Sequence, residues 1–118
     1  MKLFAIIVVL ILVSSLAMAA VAYNQLTGTY RIGGKIFYDP PKNEPQDTHL
    51  YIQLTGDAAK DLYQTMQIKP KPDACGDEGT LTKVVGNMQC TRSVDTKTHR
   101  CWFGVNVINQ KIVNGVVC

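Results

Sequence analysis

The sequence lacks the short motifs by which many enzymes and metal proteins are recognised. It contains no Cys-x-x-Cys pair, and the spacing of its cysteines matches no common zinc pattern, which excludes a zinc ribbon and covalent haem attachment. A glycine-rich phosphate loop, a His-Glu-x-x-His helix and a calcium-binding loop are also missing. We therefore expect neither a metal nor a cofactor.

Histidine is scarce as well, since the chain has only His49 and His99. A triad of His99, Asp95 and Ser93 can be drawn, but these residues lie within one short turn, without a nucleophile elbow or an oxyanion loop nearby. Histidine-based catalysis would need a scaffold that the sequence does not contain. A protein that is not an enzyme is therefore expected, with a small secreted hydrolase kept as an alternative.

Apolar residues, by contrast, are concentrated at the N-terminus. Lys2 precedes an uninterrupted apolar run over residues 3–13, which is followed by the small-residue patterns Ala17-Met18-Ala19 and Ala20-Val21-Ala22. This order is typical of a secretory signal peptide over residues 1–22, cleaved after Ala19 or Ala22, and it predicts export to the periplasm or the extracellular space. The alternative is an uncleaved anchor over residues 3–22, because about 20 apolar residues can cross a bilayer.

The rest of the chain, residues 23–118, is expected to form a single domain with two disulfides. All of its cysteines lie in the C-terminal half: Cys75, Cys90, Cys101 and Cys118. An exported domain of this size has a modest hydrophobic core, and an even number of cysteines in that compartment predicts stabilising cross-links.

Two turns decide how these cysteines would pair. A reversal between Asp95 and Thr96 would place Cys90 opposite Cys101, whereas a reversal between Asn109 and Gln110 would place Cys101 opposite Cys118. Asparagine suits a tight turn better than the threonine-rich segment 91–100 does, so the pairing 75–90 with 101–118 is slightly preferred. The alternative is 90–101 with 75–118.

The predicted elements indicate an α+β fold, in which one helix packs on a small antiparallel sheet. A hairpin about Gly33-Gly34 would place Tyr30 opposite Phe37, and the proline-rich residues 39–47 form a loop. Strands are predicted at residues 50–54, 81–85, 88–90, 101–107 and 112–117. The helix follows the first of these strands and is capped by Thr55. Its apolar stripe consists of Ala59, Leu62, Tyr63 and Met66, and Pro70 and Pro72 stop it.

Charge is unevenly distributed along the chain, although the net formal charge is only +3. Residues 39–79 carry eight acids and four lysines, whereas residues 80–118 carry five bases and one acid. The functional interpretation is a basic face directed at an anionic partner; the alternative, which we prefer, is that the two halves pack together and neutralise each other. Five scattered bases fall short of a nucleic-acid footprint, so no nucleic-acid partner is expected.

Trp102 is the residue we single out as a binding anchor, because an aromatic side chain among bases is typical of a contact surface. The alternative is that Trp102 lies under the helix or covers a disulfide. The candidate binding surface comprises Trp102, Arg92, Lys97, Arg100 and, as an outward residue of its strand, Tyr51.

We thus expect a small exported binding module of the cell envelope or extracellular space, of an inhibitor or immunity type. Its partner would be an unknown protein or an anionic envelope component. If the leader is retained, the alternative is a membrane-tethered accessory protein.

Overall fold

The structure, a computed structural model, describes residues 22–35, 42–43 and 45–115. Within these ranges lie one helix, α1 (Gly56–Thr65), and seven strands: β1 (Gly28–Gly33), β2 (His49–Thr55), β3 (Lys71–Pro72), β4 (Leu81–Val85), β5 (Met88–Arg92), β6 (His99–Asn106) and β7 (Lys111–Val113). The strands form one antiparallel sheet in the order β1-β2-β6-β5-β4-β3, and β7 pairs with the C-terminal part of β6. The molecule therefore has the α+β fold that the sequence predicts, with one helix on the sheet.

Several predicted features fall outside the described residues. They are the leader up to residue 21, Phe37, residues 39–41 and 44 of the proline-rich loop, the end of the last predicted strand at residues 116–117, and Cys118. Among the residues that are described, no helix has the length and apolar character needed to cross a bilayer.

β1 takes part in a long-range pairing that the sequence does not predict. It runs antiparallel to β2, and Tyr30 lies opposite Ile52, whereas the predicted partner Phe37 lies outside the described residues. Gly33 is the last residue of β1. β2 offers β1 an alternating partner seven residues long.

The hairpin of β5 and β6 has the predicted register. Its reversal is centred between Asp95 and Thr96, so Cys90 lies directly opposite Cys101. These two cysteines form a disulfide with an S–S distance of 2.02 Å. The preferred pairing of Cys75 with Cys90 is therefore wrong, because Cys90 is bonded to Cys101, which lies directly opposite on the neighbouring strand.

The turn between β6 and β7 lies one residue earlier than predicted. Asn106 pairs with Lys111, which centres the reversal between Ile108 and Asn109. The side-chain oxygen of Asn106 accepts hydrogen bonds from the backbone N–H groups of Ile108 and Asn109, at 3.0 and 3.3 Å. This bonding starts the turn at Asn106, since asparagine commonly bonds to the backbone two residues further on.

The helix begins where the sequence predicts and packs by its predicted stripe. Thr55 occupies the N-cap in an extended conformation, but its side chain makes no capping hydrogen bond. Instead, Thr27 holds this end, because its hydroxyl donates to the carbonyl of Thr55 and its carbonyl accepts from the Thr55 N–H. The helix ends at Thr65, several residues before the prolines at positions 70 and 72.

The C-terminus of α1 is held by a lysine from the sheet. The last turn of the helix contains no basic residue. Lys83 of β4 instead donates from Nζ to the carbonyls of Tyr63 and Met66, at 3.0 Å each, and its Nζ lies 4.3 Å from the centre of the Tyr63 ring. These carbonyls would otherwise have no partner at a helix end, so Lys83 fastens the helix to β4.

The disulfide lies at the centre of the hydrophobic core. Cys90 and Cys101 are 0 % and 1 % exposed, and Sγ of Cys101 lies 3.4 Å from the carbonyl oxygen of Ala59. The other buried members of this cluster are Leu54, Ala59, Tyr63 and Met66. The helix therefore covers the disulfide, and the opposite face of the sheet is left for other contacts.

Candidate binding cleft

The face of the sheet opposite α1, called the open face below, carries mostly polar side chains. Antiparallel pairing places Trp102 of β6 between Gln53 of β2 and Gln89 of β5. Two residues along, Arg100 lies opposite Thr91. Because side chains alternate between the two faces of a strand, these residues point away from the disulfide and the helix.

A cleft of about 560 Å³ lies over this face, between two loops at one end of the sheet. One loop, residues 73–80, joins β3 to β4, and the other, residues 93–98, joins β5 to β6. They lie at the same end because Leu81, the first residue of β4, pairs with Arg92, the last residue of β5. The cleft is lined by Asp73, Cys75, Gly76, Asp77, Thr80, Gln89, Thr91, Ser93, Thr96, Thr98, Arg100 and Trp102.

The loop of residues 73–80 is held in shape by its own hydrogen bonds. The carboxylate of Asp73 accepts from the backbone N–H of Cys75 at 3.0 Å, and the Asp73 N–H donates to the Thr80 carbonyl at 2.9 Å. Thr80 in turn donates from its N–H to the Asp77 carbonyl at 3.0 Å. Gly79 takes a φ of +86°, which suits glycine and closes the turn. This wall of the cleft is therefore preorganised.

Three polar groups face the cleft without a protein partner among the described residues. The indole N–H of Trp102 and the guanidinium of Arg100 have no hydrogen bond or ion pair there. The hydroxyl of Thr91 is likewise unpaired, although this residue is only 9 % exposed. Buried polar groups are normally satisfied, so an unpaired one at a cleft indicates that water or a ligand completes it.

The charges of the cleft are of both signs. Asp73 and Asp77 contribute two carboxylates from the loop, and Arg100 contributes one guanidinium from the floor. Five hydroxyl side chains surround them, from Thr80, Thr91, Ser93, Thr96 and Thr98. The cleft therefore offers many donors and acceptors but no excess of positive charge.

A smaller depression, of about 90 Å³, lies on the other side of Trp102. Gln53, Thr29 and Arg31 are among its lining residues, and Trp102 lines both hollows. Trp102 is partly buried, and it lies where the two hollows meet. An extended ligand could thus contact both hollows across one aromatic side chain.

The structure places three residues of the predicted binding surface on one face of the sheet. Trp102, Arg100 and Tyr51 share the open face, whereas Arg92 lies on the helix side of the sheet opposite His99. Lys97 lies in the turn between β5 and β6, with a φ of 54°. The neighbourhood of Trp102 along the sequence is therefore not a single basic face.

Tyr51 corrects a further prediction, because it is buried rather than directed into solvent. It does point to the open face, but it is only 3 % exposed, and its hydroxyl donates to the Gly34 carbonyl at 2.7 Å. The ring occupies the space beside two residues without side chains, Gly33 and Gly104. Burial raises the pKa of the Tyr51 phenol, while the charge of Arg31 lowers it.

The residues of the imagined triad are separated. His99 packs edge-on against Tyr63 of the helix, with ring centres 5.2 Å apart, whereas Ser93 lines the cleft on the open face. Burial lowers the pKa of His99, and the positive charges of Arg92 and Lys60 lower it further. The other histidine, His49, is buried and bonded through Nδ1 to the Thr48 hydroxyl at 2.7 Å.

Neither metal ligands nor known relatives point to another site. Within the described ranges, no group of three or more His, Cys, Asp or Glu side chains is placed to hold a metal ion. Comparisons with protein-family models, with curated proteins and with solved structures found no match.

Sequence reasoning missed the loop of residues 73–80 and the hydroxyl-rich floor. Alternation in β5 carries the signal for the floor, since the polar side chains of Gln89 and Thr91 alternate with those of Met88 and Cys90. Nothing in the local sequence indicates that the loop lies over these residues. That contact depends on β3, a strand only two residues long, and on its pairing with β4.

Proposed function

We propose that this protein is a small exported, non-enzymatic binding module whose ligand binds in the cleft beneath loop 73–80. The observation that carries the proposal is the set of unpaired donors in the cleft, above all the buried hydroxyl of Thr91. A preformed concave site with a few convergent polar groups and one aromatic side chain is the usual form of a ligand site. Export is supported by the leader and by the disulfide Cys90–Cys101, which is stable in oxidising compartments.

The single tryptophan makes this proposal directly measurable. Trp102 is the only tryptophan of the chain, so any change of tryptophan emission on binding reports on this cleft. Envelope and culture-medium extracts should be separated into protein, lipid and glycan fractions, and each fraction titrated into the exported protein. We expect at least one fraction to shift the emission, and to do so less with Arg100→Ala.

Arg92→Ala is the matched control, because it removes the same charge from the opposite face. The proposal predicts that this variant binds like the unaltered protein. An equal loss of binding in both arginine variants, or no change of tryptophan emission with any fraction, would contradict ligand binding in the cleft. Mass analysis of the bound fraction should find the ligand unchanged, since cleavage would contradict the non-enzymatic part of the proposal.

A second disulfide, between Cys75 and Cys118, belongs to this proposal. Cys90 and Cys101 are bonded to each other, so in the proposed second bond Cys75 would pair with the remaining cysteine of the sequence, Cys118. Cys75 lies in the wall of the cleft, so the bond would tether that wall. Peptide mapping without reduction should yield a linked 75–118 pair, and mixed disulfides of Cys75 with other molecules would contradict it.

A further inference from the structure

The geometry points to an uncharged oligosaccharide as the ligand of the cleft, with one sugar ring lying against Trp102. This inference rests on the proposed function, since it names the ligand class of the same site. Three properties of the described residues support it: the hydroxyl-rich lining, the charge balance and the position of the indole.

The lining matches the hydrogen-bonding character of a sugar. Every sugar hydroxyl both donates and accepts, so it needs partners of both kinds close together. The cleft supplies such partners from five hydroxyl side chains, two carboxylates, the Gln89 amide and the Arg100 guanidinium. The Gln89 amide is already fixed by a hydrogen bond from Nε2 to the Thr82 hydroxyl at 3.2 Å. Planar polar groups held in this way can meet neighbouring hydroxyls without losing much side-chain freedom.

The charge balance argues against an anionic ligand. Asp73 and Asp77 face the same space as Arg100, which leaves one carboxylate in excess. A phosphate or uronate in the cleft would lie near these carboxylates, and unpaired like charges weaken binding. The carboxylates accept hydrogen bonds from uncharged hydroxyls without that penalty.

Trp102 accounts for the apolar part of a sugar ring. The indole is partly exposed between the two hollows of the open face, and it can contact the C–H groups of one ring while the neighbouring rings lie on either side. Because Trp102 lines both hollows, a chain of at least two sugar units would extend from the cleft towards the second hollow. The side chains of Gln53 and Arg31 would then meet the second unit in the smaller hollow.

Titration with defined sugars tests the inference. Neutral tetrasaccharides (chitotetraose, cellotetraose, maltotetraose and xylotetraose) should be compared by calorimetry and Trp102 fluorescence with tetragalacturonate and with phosphatidylglycerol vesicles. We expect at least one neutral tetrasaccharide to bind, and its monosaccharide to bind more weakly. Trp102→Ala should weaken binding about tenfold or more, while Trp102→Phe, measured by calorimetry, should retain part of it.

Substitution of the two carboxylates is a second, independent experiment that tests the charge argument. The isosteric variants Asp73→Asn and Asp77→Asn remove charge but keep an acceptor oxygen for the loop. They should improve the affinity for tetragalacturonate, because the like charges are removed, and weaken the affinity for the neutral sugar, because an amide oxygen accepts a weaker hydrogen bond than a carboxylate does. Circular dichroism of each variant would establish that the fold is retained.

The outcomes separate the two claims. If no neutral sugar moves the Trp102 emission but tetragalacturonate, the vesicles or a protein fraction does, the ligand class is wrong and the cleft remains the binding site. Should tetragalacturonate bind the unaltered protein as well as the neutral sugars do, the charge argument fails. If no probe and no extract fraction affects Trp102, both the inference and the proposed function fall.

Discussion

At the scale of single residues, glycine and tyrosine are coupled on the open face. Gly104 of β6 lies opposite Tyr51 of β2, and the tyrosine ring fills the space that a side chain at position 104 would need. An aromatic ring that covers a strand glycine shields the backbone there and compensates for the missing side chain. This explains why Tyr51 is buried although its strand alternation places it away from the core.

Gly104→Ala is therefore predicted to destabilise the protein. The added Cβ would lie 2.8 Å from Cγ2 of Val113 and 3.0 Å from Cδ1 of Tyr51, closer than carbon atoms pack. Overpacking of this kind typically costs about 1–3 kcal/mol in the free energy of unfolding. Chemical denaturation measures it, and the double variant Gly104→Ala/Val113→Ala should recover part of the loss. If the changes in the free energy of unfolding of the two single variants simply add up in the double variant, the two positions do not clash.

His99 is predicted to make stability depend on pH. Its pKa is lowered in the folded protein by burial against Tyr63 and by the charges of Arg92 and Lys60, so the unfolded chain binds the proton more readily. Neutral His99 therefore contributes to the free energy of unfolding. This contribution is complete above the ordinary histidine pKa of 6.5, and it is lost as the pH falls below 6.5 towards the lowered pKa of the folded protein. Chemical denaturation at pH 7.5 and 5.0 should show that the free energy of unfolding falls less on acidification in His99→Phe than in the unaltered protein. An identical loss in the variant would contradict this assignment.

At the scale of elements, the sequence is informative about local patterns and silent about long-range contacts. The apolar stripe of α1 and the register of the β5–β6 hairpin are both confirmed, because each depends on residues close together in the chain. The pairing of β1 with β2 was not predicted, since the two strands are separated by a loop whose length does not reveal its path. The cleft was missed for the same reason.

The attachment of α1 to β4 through Lys83 is one such long-range contact, and Lys83→Met tests it. Methionine keeps an apolar stem but leaves the carbonyls of Tyr63 and Met66 without their donor. The loss of charged hydrogen bonds at a helix end is expected to cost about 1–3 kcal/mol. Thermal denaturation measures the change. Lys71→Met, on an exposed position of β3, is the control and should have little effect.

The disulfide between β5 and β6 is predicted to be a main source of stability. Its cysteines are 11 positions apart, and closing a loop of that size stabilises by about 3 kcal/mol in the chain-entropy model. Cys90→Ala/Cys101→Ala should therefore lower the free energy of unfolding by at least about that amount, since the core also loses volume. Guanidinium denaturation gives the value. A variant as stable as the parent protein would contradict the central place of this bond.

At the scale of the whole molecule, the two faces of the sheet have different roles. The helix face holds the buried disulfide and the hydrophobic cluster, and it fixes the positions of the strands. The open face carries Trp102, Arg100 and the buried hydroxyl of Thr91 beneath a preorganised loop. Composition could predict that the chain is a cross-linked scaffold, but only the paired sheet shows which residues of the scaffold share a surface.

The most direct test of the account is the indole N–H signal of Trp102 in a nitrogen–proton correlation spectrum. The chain has one tryptophan, so this signal is unambiguous. With the neutral tetrasaccharide that binds most tightly, we predict a shift of the indole signal and of backbone signals at residues 73–80 and 91–98, while those of α1 stay in place. An unmoved indole signal, with shifts confined to α1 or β1, would contradict a ligand site on the open face.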